Sequence, residues 1–157
     1  MRTIPDLLAE QPFFAGFGAE ELELVAGCAV NLRVDAGQYL FREGDPADRF
    51  FLLRHGRVAL EVGSPHGRLV VETLDEGDVV GWSWLVPPYR YFFDARAVQP
   101  TTAVVFDGAC LRDKCEADAR LGYALLRRVS EVMLSRLQAT RVRLFDLYGA
   151  PGAVGSS

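Results

Sequence analysis

The sequence predicts a mainly β domain with flanking helices (α+β), in which an antiparallel sandwich or barrel is followed by one long C-terminal helix. Three observations carry that prediction. From about Asn31 to Phe106 the chain falls into short apolar runs, roughly every eight to twelve residues, separated by glycine-bearing turns. On both sides of this region the apolar residues recur at helical spacing instead. The chain has 157 residues, half apolar and a quarter charged, which is enough for one domain with a core of its own.

Residues 1–29 read as short N-terminal helices. Leu7 and Leu8, then Leu22, Leu24, Val25 and Ala29, keep helical spacing, and Gly18 opens a helix with Glu20 and Glu21 in its first turn. Residues 30–107 form the β region. Val34 leads to a turn at Asp35-Ala36-Gly37, and Tyr39–Arg42 is a strand before Gly44-Asp45-Pro46. Arg49–Leu53 and Arg57–Val62 flank a turn at His55-Gly56, and Leu69–Leu74 follows the loop Ser64–Gly67. An aromatic-rich strand, Tyr91–Ala97, and a last strand, Thr101–Phe106, complete the series. Residues 108–148 return to helix. Asp107 can cap a short helix near 108–115, and Asp118 a long one reaching about Tyr148. In the long helix Leu126, Met133, Thr140 and Leu147 repeat every seven residues, with Val129, Leu137 and Leu144 near the complementary seam. That pattern suits a packing lid over the β region or a coiled-coil dimer seam. Residues 149–157, rich in Gly, Ser and Pro, are expected to be a disordered tail.

Composition excludes several functions. No apolar run is long enough to span a membrane, and Asp6 and Glu10 interrupt the place where a secretion signal needs its apolar stretch, so the expected location is cytoplasmic. A net charge of −4, with Lys114 the only lysine, argues against a nucleic-acid footprint. No nucleophile elbow, phosphate-binding P-loop, zinc-protease helix or carboxylate pair is present, and Glu72, Asp75, Glu76 and Asp78 read as a solvated acidic loop, so the chain is not expected to be an enzyme. Cys28 reads as a small core residue. Cys110 and Cys115 would lie on roughly opposite sides of a helix, too far apart for a disulfide, and metal ligation lacks ligands.

The stretch Gly77–Ala97, GDVVGWSWLVPPYRYFFDARA, holds the candidate site. Gly81 stands at the mouth of one helical turn, Trp82 to Val86, which Pro87 and Pro88 stop because neither has an N–H to continue it. A glycine opening a helix start presents free N–H groups to an anion. Around it cluster Trp82, Trp84, Tyr89, Tyr91, Phe92 and Phe93. These rings can fill the interior, stack on a planar or apolar ligand whose acid group meets Arg90 or Arg96, or form a patch that docks a protein.

The framework Gly37, Gly44-Asp45, Gly56, Gly67, Leu74, Gly77-Asp78, Gly81 resembles the cyclic-nucleotide-binding domain of the bacterial catabolite-activator (Crp/Fnr) class and of kinase regulatory subunits. The phrase FREGDPADRFFLLRHGRVAL, residues 41–60, is similar to that family's strand–turn–strand unit, and Ser135–Thr140 resembles the activators' central helix. The likeness runs over about residues 10–148. It implies a double-stranded β-helix, or jelly-roll β-roll, flanked by helices, with the long helix pairing across a two-fold axis. In the family a glycine is followed by a glutamate that holds the ribose, and an arginine pairs with the cyclic phosphate. Here Gly81 matches the glycine, Trp82 stands in the glutamate's place with Ser83 beside it, and Tyr91 stands in the arginine's place. Arg90 lies one position earlier, Phe92 and Phe93 replace small residues, and Thr140 matches the position that touches the base. The resemblance therefore nominates Gly81, Trp82, Ser83, Arg90, Tyr91, Phe92 and Thr140 as ligand-binding residues, in a cassette that departs from its pattern.

The departures have physical consequences. A phosphodiester is held by charge-assisted donors, best of all by a bidentate guanidinium, and a tyrosine offers one neutral donor. Trp82 removes an acceptor and adds bulk, and Arg90 would need a bulge at Pro88-Tyr89 to turn inward. His55 and His66 sit in turns and are not expected to ligate haem. No helix-turn-helix follows the central helix, so no DNA binding is expected. Three functions stand: a stand-alone regulatory or sensor module with a degenerate phosphate-binding cassette, acting through its C-terminal helix; a ligandless interaction or scaffold subunit whose pocket is plugged by Trp82 or Phe93; and a genuine cyclic AMP- or cyclic GMP-binding protein. The expected partners are a small-molecule effector, cyclic nucleotide or otherwise, a second copy through the C-terminal helix, and a protein, with no DNA, membrane or metal.

Overall fold

The computed structural model describes residues 3–148, with side chains described to residue 142. The chain divides into two compact units, one ending at Tyr123 and the other beginning at Ala124.

The first unit opens with helix α1 (Ile4–Ala9), a short 3-10 turn (Pro12–Phe14) and helix α2 (Ala19–Ala26). Each helix starts where a side chain satisfies the loose N–H groups of its first turn. The Thr3 hydroxyl accepts from the Asp6 N–H while the Asp6 carboxylate accepts from the Thr3 N–H, and the Gly18 N–H donates to the Glu21 carboxylate. Eight strands follow: β1 (Ala29–Val34), β2 (Tyr39–Phe41), β3 (Arg49–His55), β4 (Val58–Ser64), β5 (Gly67–Leu74), β6 (Val79–Val80), β7 (Asp94–Ala97) and β8 (Thr101–Asp107). They form two four-stranded antiparallel sheets, in the orders β1-β8-β3-β6 and β2-β7-β4-β5. This is the predicted β-roll, with helices before it and helix α3 (Gly108–Ala117) and the long helix α4 (Ala119–Tyr148) after it.

The core lies between the sheets. Leu40, Phe41, Phe51, Leu53, Val58, Leu60, Val80, Tyr91, Ala95 and Val105 are buried there together. Leu40 and Phe41 are neighbours in sequence yet both enter it, because the β2–β7 register slips between Tyr39 and Phe41 and breaks the strict alternation of the strand. The other face of β3 and β8 is covered as well. Phe50 and Phe106 pack on Phe13, Phe14 and Trp84, which is why residues 50–53 of β3 are an unbroken apolar run.

Several expectations need correction. The strand expected over Tyr91–Ala97 contains only Asp94–Ala97. Tyr91 instead pairs its backbone with the loop after β2: its N–H donates to the Asp45 carbonyl and its carbonyl accepts from the Gly44 N–H. The helical turn expected over Trp82–Val86 is a 3-10 turn of Trp82–Trp84 only. Cys28 is not a lone core residue; it is disulfide-bonded to Cys110, with Cα atoms 5.7 Å apart, and Cys115 is the free thiol. The β1–β8 ladder brings this pair together. Ala29 faces Phe106, and the Asp107 N–H donates to the Cys28 carbonyl, so the first turn of α3 rises directly over Cys28. Asp107 caps that turn through the Cys110 N–H, as expected.

Asp118 likewise caps α4, its carboxylate accepting from the N–H groups of Arg120 and Leu121. In the second unit α4 continues as one helix. Arg128 and Glu131 pair along it at 2.6 Å, and Leu126, Met133, Leu134, Leu137 and Val142 are exposed. The side chains of Leu144 and Leu147, and the tail 149–157 expected to be disordered, lie outside the described residues.

Candidate functional site

Gly81 ends β6 with φ at +90°, a left-handed conformation that glycine alone takes without strain. A Cβ here would also lie 3.1 Å from the Arg49 carbonyl oxygen and 3.3 Å from ring atoms of both Phe41 and Tyr91. The residue is therefore glycine for two reasons, and the second identifies what fills the corner beside it.

That occupant is Tyr91. Its ring stacks on Phe41 with centroids 3.7 Å apart and planes 11° from parallel, and the residue is 3% exposed. Its hydroxyl donates to the Arg49 carbonyl at 2.6 Å and accepts from the Arg49 N–H at 3.1 Å. Burial pushes the phenol pKa up to about 12, against the opposing pull of the Arg49 N–H. At neutral pH it is a neutral group whose one proton is already donated to a backbone carbonyl. The Arg49 guanidinium is engaged as well, donating to the Leu40 carbonyl at 2.9 Å and lying over the Phe51 ring.

The other nominated residues take different places. Trp82 and Ser83 follow Gly81 and are half-buried, and Phe93 is exposed. Phe92 is 63% exposed. The backbone distortion needed to turn Arg90 does exist, since Tyr89 has φ at +57°. It leaves Arg90 exposed nonetheless, donating to the Gly44 carbonyl at 2.9 Å. Thr140 belongs to the second unit, and its hydroxyl donates to the Arg136 carbonyl one turn back. The structure thus brings Gly81 and Tyr91 together with two residues that the sequence reading did not nominate, Phe41 and Arg49. Phe41 is hidden by the register slip in β2, and Arg49 takes part through its backbone, which no side-chain pattern reports.

Arg96, expected as a partner for a ligand's acid group, is committed elsewhere. It faces away from the core and donates to Glu61 at 2.6 and 3.0 Å, and that hydrogen bond raises its pKa further. Beside it Asp94 accepts from the Glu43 N–H at 2.7 Å and pairs with Arg68 and, at 3.4 Å, with Arg42. The acidic loop is more than a solvated surface: Asp75 pairs with Arg57 at 2.9 Å and Glu76 with His55 at 3.4 Å. His66 stays exposed in the β4–β5 turn. Among the described residues no group of three or more His, Cys, Asp or Glu could hold a metal ion.

The chain is similar to known proteins in sequence and in fold. The family described as the cyclic nucleotide-binding domain matches residues 31–118. A structure described as a cyclic nucleotide-binding protein from Geobacter metallireducens superposes with a TM-score of 0.78 at 32% identity, over 87% of this chain and 99% of that one. An HTH-type transcriptional regulator, Cmr, of Mycobacterium tuberculosis is 30% identical over 73% of this chain and 46% of its own length. The acetyltransferase Pat of Mycolicibacterium smegmatis is 35% identical over 47% of this chain and 22% of its own. The chain therefore spans less than half the length of these curated relatives, one of which is an enzyme.

Proposed function

The chain belongs to the cyclic nucleotide-binding domain family, as a sensor or regulatory domain of that type, and from this premise we propose that its phosphate seat is filled by its own Tyr91. On this reading cyclic AMP and cyclic GMP are not its ordinary ligands, and the module acts through contacts with a protein partner and a second copy of itself. The observation that carries the reading is the double hydrogen bond between the Tyr91 hydroxyl and the Arg49 backbone, made by a ring stacked on Phe41 against Gly81. A cyclic phosphate entering here would have to displace a buried, fully bonded phenol, and the neighbouring Arg49 and Arg90 guanidinium groups already donate to the Leu40 and Gly44 carbonyls.

The output route is α4, which follows α3 and β8 along the chain. Its exposed Leu126, Met133 and Leu137 keep the spacing of a helix-pairing seam and support a homodimer. A partner that binds two arrangements of this helix with different affinity would shift the population between them. A regulatory role is supported by one relative, Cmr, which is an HTH-type transcriptional regulator. No described helix is long and apolar enough to cross a membrane.

Calorimetric titration with cyclic AMP and cyclic GMP at low salt tests the proposal. The expected outcome is no heat of binding up to millimolar nucleotide, with binding created in the double variant Trp82→Glu, Tyr91→Arg, provided circular dichroism shows it folded. Micromolar binding by the unaltered chain would overturn the reading and make the domain a nucleotide sensor.

A further inference from the structure

The Cys28–Cys110 pair joins two elements that otherwise touch little. Cys28 lies just past the end of α2, and Cys110 in the first turn of α3. A second tie between these helices is the Lys114 ammonium, which donates to the Leu24 carbonyl at 2.6 Å. The rest of α3 is held from the opposite side: the Gly108 N–H donates to the Asp48 carbonyl, the Arg112 guanidinium donates to the Trp84 carbonyl, and Leu111 is buried. A disulfide is the usual resort of a small domain that cannot build a core. This unit has its core, with Phe50, Phe51, Trp84 and Phe106 fully buried and both faces of β3 covered. The cross-link is therefore not a substitute for a missing core. Cys110 is only half-buried, while Cys28 is buried, so the pair lies nearer the surface on its Cys110 side. Cys115, the third cysteine, packs on Gly122, and burial raises its thiol pKa, which leaves it a poor nucleophile for exchange with the pair.

We infer that the Cys28–Cys110 disulfide is a thiol–disulfide exchange site, a clamp between α2 and α3 that a dithiol reductant opens and a disulfide oxidant closes. In opening, a thiolate of the dithiol attacks the sulfur of the more exposed residue, Cys110. The protein S–S bond breaks, and its electron pair leaves with the Cys28 sulfur, which takes up a proton. The second thiolate of the reductant then attacks its own sulfur in the mixed disulfide and releases Cys110, which is protonated in turn. Two electrons and two protons pass to the protein, and the reductant departs as its cyclic disulfide. Closing runs the same steps in reverse. The open clamp leaves α2 and α3 tied through Lys114, and α3 is the segment through which the chain passes from β8 to α4. The inference does not depend on what occupies the cassette.

The test uses the full chain equilibrated in mixtures of reduced and oxidised dithiothreitol, with thiols trapped by alkylation and counted by mass. The expected result is a reversible two-electron transition from one free thiol to three. Hydrogen exchange across residues 24–28 and 108–114 should rise by about tenfold more than across the strands, as in a local opening, while the strands stay protected. Cys115→Ser should leave the transition in place, and Cys28→Ser should show the open exchange pattern at every poise. Three results would each overturn the inference: no disulfide at any poise, equal protection of the two segments in both states, or loss of strand protection on reduction, which would make the bond a staple for the fold.

Discussion

Both faces of the β2-β7-β4-β5 sheet bury side chains, and they do so with opposite chemistries. Facing the first sheet are Val58, Leu60, Ala95 and Ala97, continuous with Phe41 and Tyr91. On the other face, one residue out of phase on the same strands, Glu61 and Asp94 are each 2% exposed beneath Arg42, Arg68 and Arg96. Strand alternation alone produces this division, since successive side chains point to opposite faces. What differs is how each face satisfies its groups. On the inner side the Tyr91 hydroxyl is placed on backbone, at the carbonyl and N–H of Arg49. The outer face covers two carboxylates with arginines whose own side chains reach water. Burial therefore does not mark the functional face by itself. The inner face is the candidate site because a single tyrosine occupies the corner beside Gly81, where a charged donor would be needed to hold a phosphate.

Emptying the inner corner is expected to have the largest effect. Tyr91→Ala removes a fully packed ring and should lower stability by about 3–5 kcal/mol, read by urea denaturation. A loss below about 1 kcal/mol would mean that the ring is not part of the packed core. Next comes alkaline pH. The phenol is the neutral form, and its pKa is raised from 10.0 to about 12. The stability tied to Tyr91 is thus fully present below pH 10 and is lost as pH rises to about 12. At ~1.36 kcal/mol per pH unit, that window gives a loss of about 2.7 kcal/mol at most. The difference between the unaltered chain and Tyr91→Phe should shrink over that window, and a difference constant with pH would contradict the buried hydroxyl. The smallest of the three changes falls on the outer face. Asp94→Asn keeps the shape but turns charge-assisted bonds from Arg68 and Arg42 into neutral ones, at a cost of about 1–2 kcal/mol. A D94N variant as stable as the parent would show that the network is screened by solvent and that the contrast between the faces is one of geometry alone.

Much of the fold is legible along the chain because its signals are local. Glycine-bearing turns, Asp107 and Asp118 as caps, and the acids at the start of α2 act on their immediate neighbours, and each element they delimit is present to within a few residues. The misreadings involve distant partners. The extended segment at Tyr91 resembles the start of a strand because its residues favour one, yet its backbone pairs with the loop at Gly44 and Asp45, more than forty residues earlier in the chain. Cys110 has a neighbouring cysteine, Cys115, five residues along the same helix, whereas its partner Cys28 is 82 residues away and reaches it through the β1–β8 ladder.

Turn chemistry, periodicity and residue type are properties of neighbouring residues. They sufficed for an antiparallel β region with flanking helices, while the roll itself, the cassette at Gly81 and the acid and base expected where Trp82 and Tyr91 stand were what the family resemblance implied. Which ring fills the corner, where Arg96 and Arg90 place their hydrogen bonds, and the meeting of Cys28 with Cys110 were settled by the folded arrangement instead. Those outcomes depend on strand register and on backbone atoms of remote residues, which carry no side-chain signature along the chain.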